Sequence, residues 1–240
     1  MRKLIYTLGL LLSISISGFS QNEPPSTDKP LFIVKGGGGT SWITMPKVFL
    51  LNPADTSSAQ ILPTTNSFTG YIGFQVAIPL GDHWLFMPEI DINYIAGEIR
   101  VDRINSSNRI EPNAFSQKLQ SYTRLEIPIN FGVVSSDNFW VSFGPVLFFT
   151  LSDNKGFDDA VHDIEDPNNP INLDSDNPVG LRFRLAAYVI VANGMYVDIK
   201  FDSDLSRKFY YTESDDTYHM KMSMQSVTIG FGYRLNRDGL

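Results

Sequence analysis

The chain has 240 residues, of which 42% are hydrophobic and 12% aromatic, with 26 acidic residues against 19 basic ones and a net charge of −7. This acidic balance argues against nucleic acid as a partner, because little positive charge is available to neutralise phosphates. The sequence contains no cysteine, which excludes disulfides and thiolate chemistry.

The N-terminus has the pattern of an export signal. Two basic residues precede an apolar run over residues 4–16, and the small-residue site Gly18-Phe19-Ser20 follows. We predict a signal peptide over residues 1–20, since the run is short for a membrane-spanning helix and an uncleaved anchor is less favoured. Cleavage would leave 17 basic and 26 acidic residues, a net charge of −9. Residues 21–30 are interpreted as a periplasmic lead-in.

From residue 31 onward, the sequence alternates with a period of two. Over residues 67–96, large apolar side chains occupy most even positions and polar or small ones most odd positions, on either side of a tight turn at residues 81–83. Such alternation predicts β-strands with one apolar and one polar face. Eight strands are predicted in this way: residues 31–39, two within 67–96, then 118–133, 139–151, 179–191, 195–202 and 218–235.

The predicted links between these strands alternate in length. Three are tight hairpins, at residues 81–83, 135–138 and 192–194. Four are long, at about residues 40–66, 99–117, 152–178 and 203–217. Short turns at one end and long loops at the other are typical of outer-membrane barrels, whose short turns face the periplasm.

Glycines and prolines interrupt several predicted strands. The run Gly36–Gly39 is not followed by Lys-Ser/Thr, so we interpret it as a bend or close backbone approach rather than a phosphate loop. Pro88, Pro128 and Pro145 each remove a ladder hydrogen bond. Bulges, or positions whose N–H faces no neighbouring strand, would accommodate these prolines.

The last predicted strand contains a conflict of parity. The apolar face of residues 227–233 is out of step with the methionines at residues 220–224. A β-bulge near Gln225-Ser226 would reconcile the two, because one extra residue exchanges the faces of a strand.

Alternation alone does not say which face points inward, since a soluble lipocalin-like barrel has the same period. Three features favour a membrane barrel. The apolar face is crowded with large residues in nearly every strand, and the interior of an eight-stranded barrel has too little volume to hold them all. The other face is rich in Gly, Ser and Ala rather than in the Lys and Glu of a soluble exterior, and the links alternate in length. We therefore predict an all-β fold, an eight-stranded antiparallel up-and-down transmembrane β-barrel over residues 31–235, surrounded by outer-membrane lipid, with a tail at residues 236–240.

In this arrangement the charged face lines the lumen. Buried charges are stable only when they are paired, and eight strands leave an interior filled by side chains rather than an open channel. We therefore interpret the charges as a salt-bridged structural plug, with an ion path or gate as the alternative. The predicted lumen charge network consists of Glu89, Asp91, Arg124, Glu126, Arg182, Arg184, Asp198, Lys200 and Asp202.

Three of the predicted strands carry short motifs. They are Ser-Tyr-Thr-Arg-Leu-Glu-Ile-Pro-Ile at residues 121–129, a Gly-Pro strand at residues 144–152, and Ile-Gly-Phe-Gly-Tyr-Arg-Leu at residues 229–235. These motifs resemble strands of the PorT-like outer-membrane β-barrel family of Bacteroidota. The resemblance implies an eight-stranded barrel in the outer membrane of a Gram-negative bacterium, inserted there by the barrel insertion machinery. The namesake of this family assists a secretion and gliding apparatus.

Candidate chemistry is sparse. His219 and Ser223 are the only pair that could be placed near each other at the rim of a lipid-hydrolysing barrel. Four residues apart on one strand, their Cα atoms would lie about 13 Å apart, too far for a hydrogen bond between base and nucleophile. The aspartate-rich link at residues 152–178 lacks EF-hand spacing, so we interpret it as a solvated loop rather than a calcium site. We predict no enzymatic activity, no cofactor and no metal.

The predicted function is therefore structural or interaction-based. The protein would act through its four long extracellular loops, with an envelope protein as partner. Three alternatives stay open: an accessory factor for secretion or surface assembly, a soluble periplasmic lipocalin-like barrel that binds a small apolar ligand, and an outer-membrane lipid hydrolase.

Overall fold

The computed structural model describes residues 29–44, 48–51, 58–63, 66–104, 110–136, 138–154, 156, 159, 172–174, 178–192, 194–205, 208–213, 216–221 and 223–235. The predicted signal peptide, most of the lead-in and the tail lie outside these ranges. Among the described residues, no helix is long and apolar enough to cross a membrane. The strands in these ranges are β1 (Leu31–Thr44), β2 (Val48–Leu51), β3 (Ser58–Pro63), β4 (Ser67–Pro79), β5 (Trp84–Ile104), β6 (Ile110–Ser136), β7 (Phe139–Asn154), β8 (Asn172–Asp174), β9 (Val179–Ala192), β10 (Met195–Asp204), β11 (Lys208–Glu213), β12 (Asp216–Lys221) and β13 (Ser223–Arg234).

Eight of these strands form a closed antiparallel ring. Its order is β1, β4, β5, β6, β7, β9, β10 and β13, and β13 pairs back with β1 from Ile33↔Arg234 to Thr44↔Ser223. Neighbours in the ring follow one another along the chain, which makes this an up-and-down barrel. Closure leaves no unpaired edge, as a sheet in lipid requires. The predicted eight-stranded antiparallel barrel is confirmed.

The two ends of the barrel differ in their connections. At the short-turn end, β4–β5, β6–β7 and β9–β10 are joined by tight turns, in which Gly81 (φ 119°) and Gly194 (φ 84°) adopt the left-handed conformation that favours glycine. At the opposite end, here called the loop end, the connections are longer.

Much of what we predicted to be loop is strand. β5 and β6 continue to Ile104 and Ile110, and β2 and β3 add to the free side of β5. β8, β11 and β12 form a separate three-stranded sheet, here called the loop-end sheet. The prediction that residues 99–117 form a loop is wrong for residues 99–104 and 110–117, where the two strands extend as a paired ribbon; residues 105–109 lie outside the described ranges.

The predicted bulge in the last strand is also wrong. β13 begins at Ser223 and pairs with both β1 and β10 in one continuous register, including Gln225↔Trp42. Met224 faces the interior and is fully buried. The conflict of parity arose from the assumption that every apolar residue faces outward. The preceding residues 216–221 belong to β12 instead.

The three strand prolines interrupt the hydrogen-bonded ladders without shifting them. Beside Pro88 the β4–β5 ladder skips two residue pairs and resumes in the same register. The β5–β6 and β6–β7 ladders do the same beside Pro128 and Pro145. No bulge accommodates these prolines, because the pairing is absent where the N–H is missing.

The outer surface of the ring is an apolar belt. Every ring strand exposes large hydrophobic side chains, and some, such as Ile72 at 63%, are exposed for most of their area. A continuous apolar surface of this kind is unstable in water and is typical of the lipid-facing side of a membrane barrel. One such residue from each ring strand is Phe32, Ile72, Ile92, Phe131, Phe143, Leu181, Ile199 and Phe231.

Candidate functional site

The lumen is filled by side chains in three layers. The aromatic floor, at the short-turn end, consists of Ile33, Ala77, Leu85, Met87, Trp140, Ala186, Tyr188 and Tyr196. The ion-pair layer, in the middle, consists of Lys35, Glu89, Asp91, Arg124, Glu126, Arg182, Arg184, Asp198, Lys200, Asp202 and Asp204. The apolar cap, towards the loop end, consists of Ile43, Ile95, Tyr122, Phe148 and Met224.

Arg184 on β9 connects four carboxylates of the ion-pair layer. Its Nη1 donates to Glu89 Oε1 at 2.9 Å and to Asp91 Oδ2 at 2.7 Å, both on β5. Its Nη2 donates to Glu126 Oε2 on β6 at 2.9 Å, and its Nε to Asp202 Oδ1 on β10 at 2.6 Å. The planar guanidinium supplies donors in several directions at once. One side chain therefore links four strands across the lumen.

A second group of ion pairs lies nearer the loop end, around Asp204 at the end of β10. Arg124 donates to both carboxylate oxygens of Asp204 at 3.0 Å, the bidentate geometry that arginine forms with carboxylates. Arg182 Nε lies 2.8 Å from Asp204 Oδ1, and Arg182 Nη1 donates to Glu126 Oε1 at 2.5 Å. The guanidinium of Arg124 also lies 4.3 Å from the ring centroid of Phe148 in the apolar cap. We call Arg124, Arg182 and Asp204 the Asp204 cluster.

The two lysines of the layer contact the carboxylates of β5 from β1 and from β10. Lys35 Nζ is 2.5 Å from Glu89 Oε2, and Lys200 Nζ is 3.1 Å from Glu89 Oε1. Lys200 also lies 3.3 Å from the ring centroid of Tyr71, whose hydroxyl donates to Asp198 at 2.8 and 3.0 Å. Within the layer, Asp198 is thus joined to the other charges through the Tyr71 phenol.

The aromatic floor is held by ring packing. Trp140 stacks on Tyr188 with ring centroids 5.2 Å apart and an interplanar angle of 9°, and Tyr196 meets Tyr188 edge-on at 5.9 Å. Gln75 connects the floor to the charges, because its Nε2 donates to Glu89 Oε2 at 3.1 Å and lies 3.4 Å from the Tyr188 hydroxyl.

Two tyrosines of the lumen occupy space left by glycines of β13. A Cβ on Gly230 would overlap the Tyr71 hydroxyl, and a Cβ on Gly232 would overlap the ring of Tyr196. Glycine at an inward strand position commonly marks such a close approach. These glycines therefore allow side chains of β4 and β10 to reach β13.

All nine charges of the predicted lumen network lie inside the ring, each with 2% or less of its surface exposed. The structure brings eight of them into one network of ion pairs, and Asp198 joins through Tyr71. The sequence reasoning missed Lys35 and Asp204. Continuing the alternation of β10 would have found Asp204, whereas Lys35 follows four consecutive apolar residues and no alternation marks it. The sequence reasoning also missed the aromatic floor.

The two residues considered for hydrolysis lie on different strands, in different sheets. Ser223 Oγ donates to the backbone carbonyl of Asp204 at 2.8 Å. His219 lies on β12, in the other sheet from Ser223 on β13. Among the described residues, no group of three or more His, Cys, Asp and Glu side chains could hold a metal ion. Most of the aspartate-rich link lies outside the described ranges.

Comparisons with known proteins give structural likenesses only, since no family model and no curated protein matches the sequence. The chain is similar to the outer membrane protein OprG from Pseudomonas aeruginosa, at 12% identity over 89% of this chain and 99% of that one, with a TM-score of 0.46. It is similar to the outer membrane protease OmpT from Escherichia coli, at 10% identity over 87% of this chain and 98% of that one, with a TM-score of 0.43. It is also similar to Ail, the attachment invasion locus protein of Yersinia pestis, at 8% identity over 86% of this chain and 99% of that one, with a TM-score of 0.40. At these values the likenesses bear on neither family nor activity.

Proposed function

We propose that this protein is a non-enzymatic outer-membrane β-barrel of a Gram-negative bacterium, which conducts no solute and acts through its loop end. The observation that carries the proposal is the ion-pair layer. Its arginines and carboxylates cross the lumen from β5, β6, β9 and β10 with almost no exposed surface, so the barrel is closed at mid-height. An interior of eight strands has room for little else.

The outer membrane is favoured because a closed ring with an apolar belt is stable only in lipid, and bacterial barrels of this kind span that membrane. With the short turns in the periplasm, the β2–β3–β5–β6 extension and the loop-end sheet face the exterior. A partner from the envelope would therefore meet strands and loops. Membership of the PorT-like family fits this proposal, and its three motifs fall in β6, β7 and β13.

The test of closure is conductance in planar lipid bilayers. We expect no channel events from the full-length protein, because both the aromatic floor and the ion-pair layer block the lumen. The double variant Trp140→Ala/Tyr196→Ala is the matched control. It thins the floor and leaves the ion-pair layer intact, so it should also be silent. Reproducible stepwise conductance of the unaltered protein would overturn the proposal.

Location is tested separately, by fractionating membranes and running the protein unboiled and boiled on a gel. We expect a heat-dependent shift in mobility within the outer-membrane fraction, because a closed barrel resists unfolding by detergent until it is heated. Recovery of the protein in the soluble periplasmic fraction would contradict the assignment to the membrane.

A further inference from the structure

The connections at residues 155–178 and 205–222 leave the barrel beside the same carboxylate. Asp204 is the last residue of β10, and β11 begins at Lys208. On the neighbouring strand, Asp204 pairs in register with Arg182, three residues after β9 begins. The end of one connection and the start of the other therefore meet at the Asp204 cluster.

Asp204 and the residue that follows it are held at three points. Its carboxylate bonds Arg124 and lies against Arg182, with the residue only 3% exposed. Its backbone carbonyl accepts a hydrogen bond from Ser223 Oγ, at the start of β13. The next N–H, of Leu205, donates to Leu181 O at 2.8 Å. Both ends of the connection between β10 and β13 are thus tied to the Asp204 cluster.

These two connections are also joined to each other away from the barrel. β8 belongs to the first and pairs with β11 of the second, as in Leu173↔Tyr211. β11 in turn pairs with β12 over six residue pairs, from Lys208↔Lys221 to Glu213↔Asp216. One sheet therefore spans both connections, and its links to the barrel leave from β9, β10 and β13.

We propose that Asp204 is a positioning residue that holds the loop-end sheet in place, so that the buried ion pairs determine how this sheet is presented. The inference does not depend on what the sheet binds. It assigns to part of the lumen a role beyond filling the barrel. Removing the Asp204 carboxylate should free the sheet while the ring stays closed, because Arg184 and its four carboxylates are untouched.

Asp202 provides a matched control on the same strand. It is equally buried, at 2%, and its carboxylate bonds Arg184 one step deeper in the lumen. Asp204→Asn and Asp202→Asn each remove one buried negative charge from the inner face of β10. If both aspartates only stabilise the barrel, the two variants should affect amide exchange in the loop-end sheet equally. If Asp204 positions this sheet, only Asp204→Asn should accelerate exchange there.

The experiment is amide hydrogen exchange of the full-length protein folded in lipid vesicles. In Asp204→Asn we expect the amides of β11 and β12 to exchange at least about tenfold faster, with β1 and β5 unchanged. In Asp202→Asn the loop-end sheet should exchange within about twofold of the unaltered protein. Asp204→Glu keeps the negative charge and should recover most of the protection.

Equal acceleration of the loop-end sheet in Asp204→Asn and Asp202→Asn would overturn the proposal, and so would no acceleration in either. If Asp204→Asn does not fold, Ser223→Ala replaces it. That variant removes the hydrogen bond to the Asp204 carbonyl and keeps the ion pairs. Faster exchange in β12 supports the proposal, and unchanged exchange contradicts it.

Discussion

The aromatic floor and the ion-pair layer fill the same lumen by different means. In the floor, Trp140, Tyr188 and Tyr196 exclude water by packing ring against ring. In the ion-pair layer, every charge depends on partners from other strands. In the floor, the loss in the free energy of unfolding should therefore follow the side-chain volume removed. In the ion-pair layer, it should follow the number of buried charges left without a partner.

The largest effect is expected for Arg184→Met, which keeps much of the volume and removes the charge. Four carboxylates lose a partner, so we expect the free energy of unfolding to fall by more than about 4 kcal/mol. A urea titration in lipid vesicles, followed by the heat-dependent gel shift, measures it. Arg184→Lys keeps the charge without the planar geometry and should cost less. A loss for Arg184→Met below about 1 kcal/mol would contradict the view that pairing stabilises this layer.

In the floor, Trp140→Ala should lower the free energy of unfolding by about 3 kcal/mol, because it leaves a cavity against Tyr188 and Tyr196. Trp140→Phe retains a ring and should cost about 1 kcal/mol. The same urea titration compares the two variants. Equal losses would show that ring volume does not determine stability at this end.

The smallest effect comes from removing one hydroxyl group in each region. Tyr71→Phe takes a hydrogen bond from the buried carboxylate of Asp198 and should cost about 2 kcal/mol. Tyr188→Phe loses only contacts of 3.4 and 3.5 Å and keeps its stacking, so we expect about 0.5 kcal/mol. If the order of these losses in urea were reversed, the floor would depend on polar contacts more than its geometry indicates.

The alternation of side chains was sufficient to predict the ring. Each face of a strand in this wall meets one environment, lipid or lumen, so a period of two is visible in most of the ring strands. The exception is β1, which begins with four consecutive apolar residues and then has four consecutive glycines after Lys35. The short turns were predicted from their own residues, and Gly81 and Gly194 stand where a left-handed conformation is needed. The strands of the loop end were missed because they continue past the closed ring, where neither face is uniformly apolar.

The contents of the lumen were harder to predict because alternation says which residues face inward but not at what height they lie. Met87 and Trp140 share the inward face with Glu89 and Ser142, yet they pack in a separate apolar layer. Height depends on register across several strands, which a single sequence does not show. Met224 illustrates the same limit, since an apolar inward residue was interpreted as evidence for a bulge.

The glycines of β13 limit which strands of this barrel can be exchanged with those of another barrel. Tyr71 of β4 occupies the space above Gly230, and Tyr196 of β10 occupies the space above Gly232. A chimera that replaces β13 alone with a strand bearing larger residues at these positions would displace both tyrosines. Exchanging β4, β10 and β13 together would preserve the fit. In this protein the unit of strand shuffling is therefore β10 and β13 together with β4, which is distant from them in sequence, rather than a single hairpin.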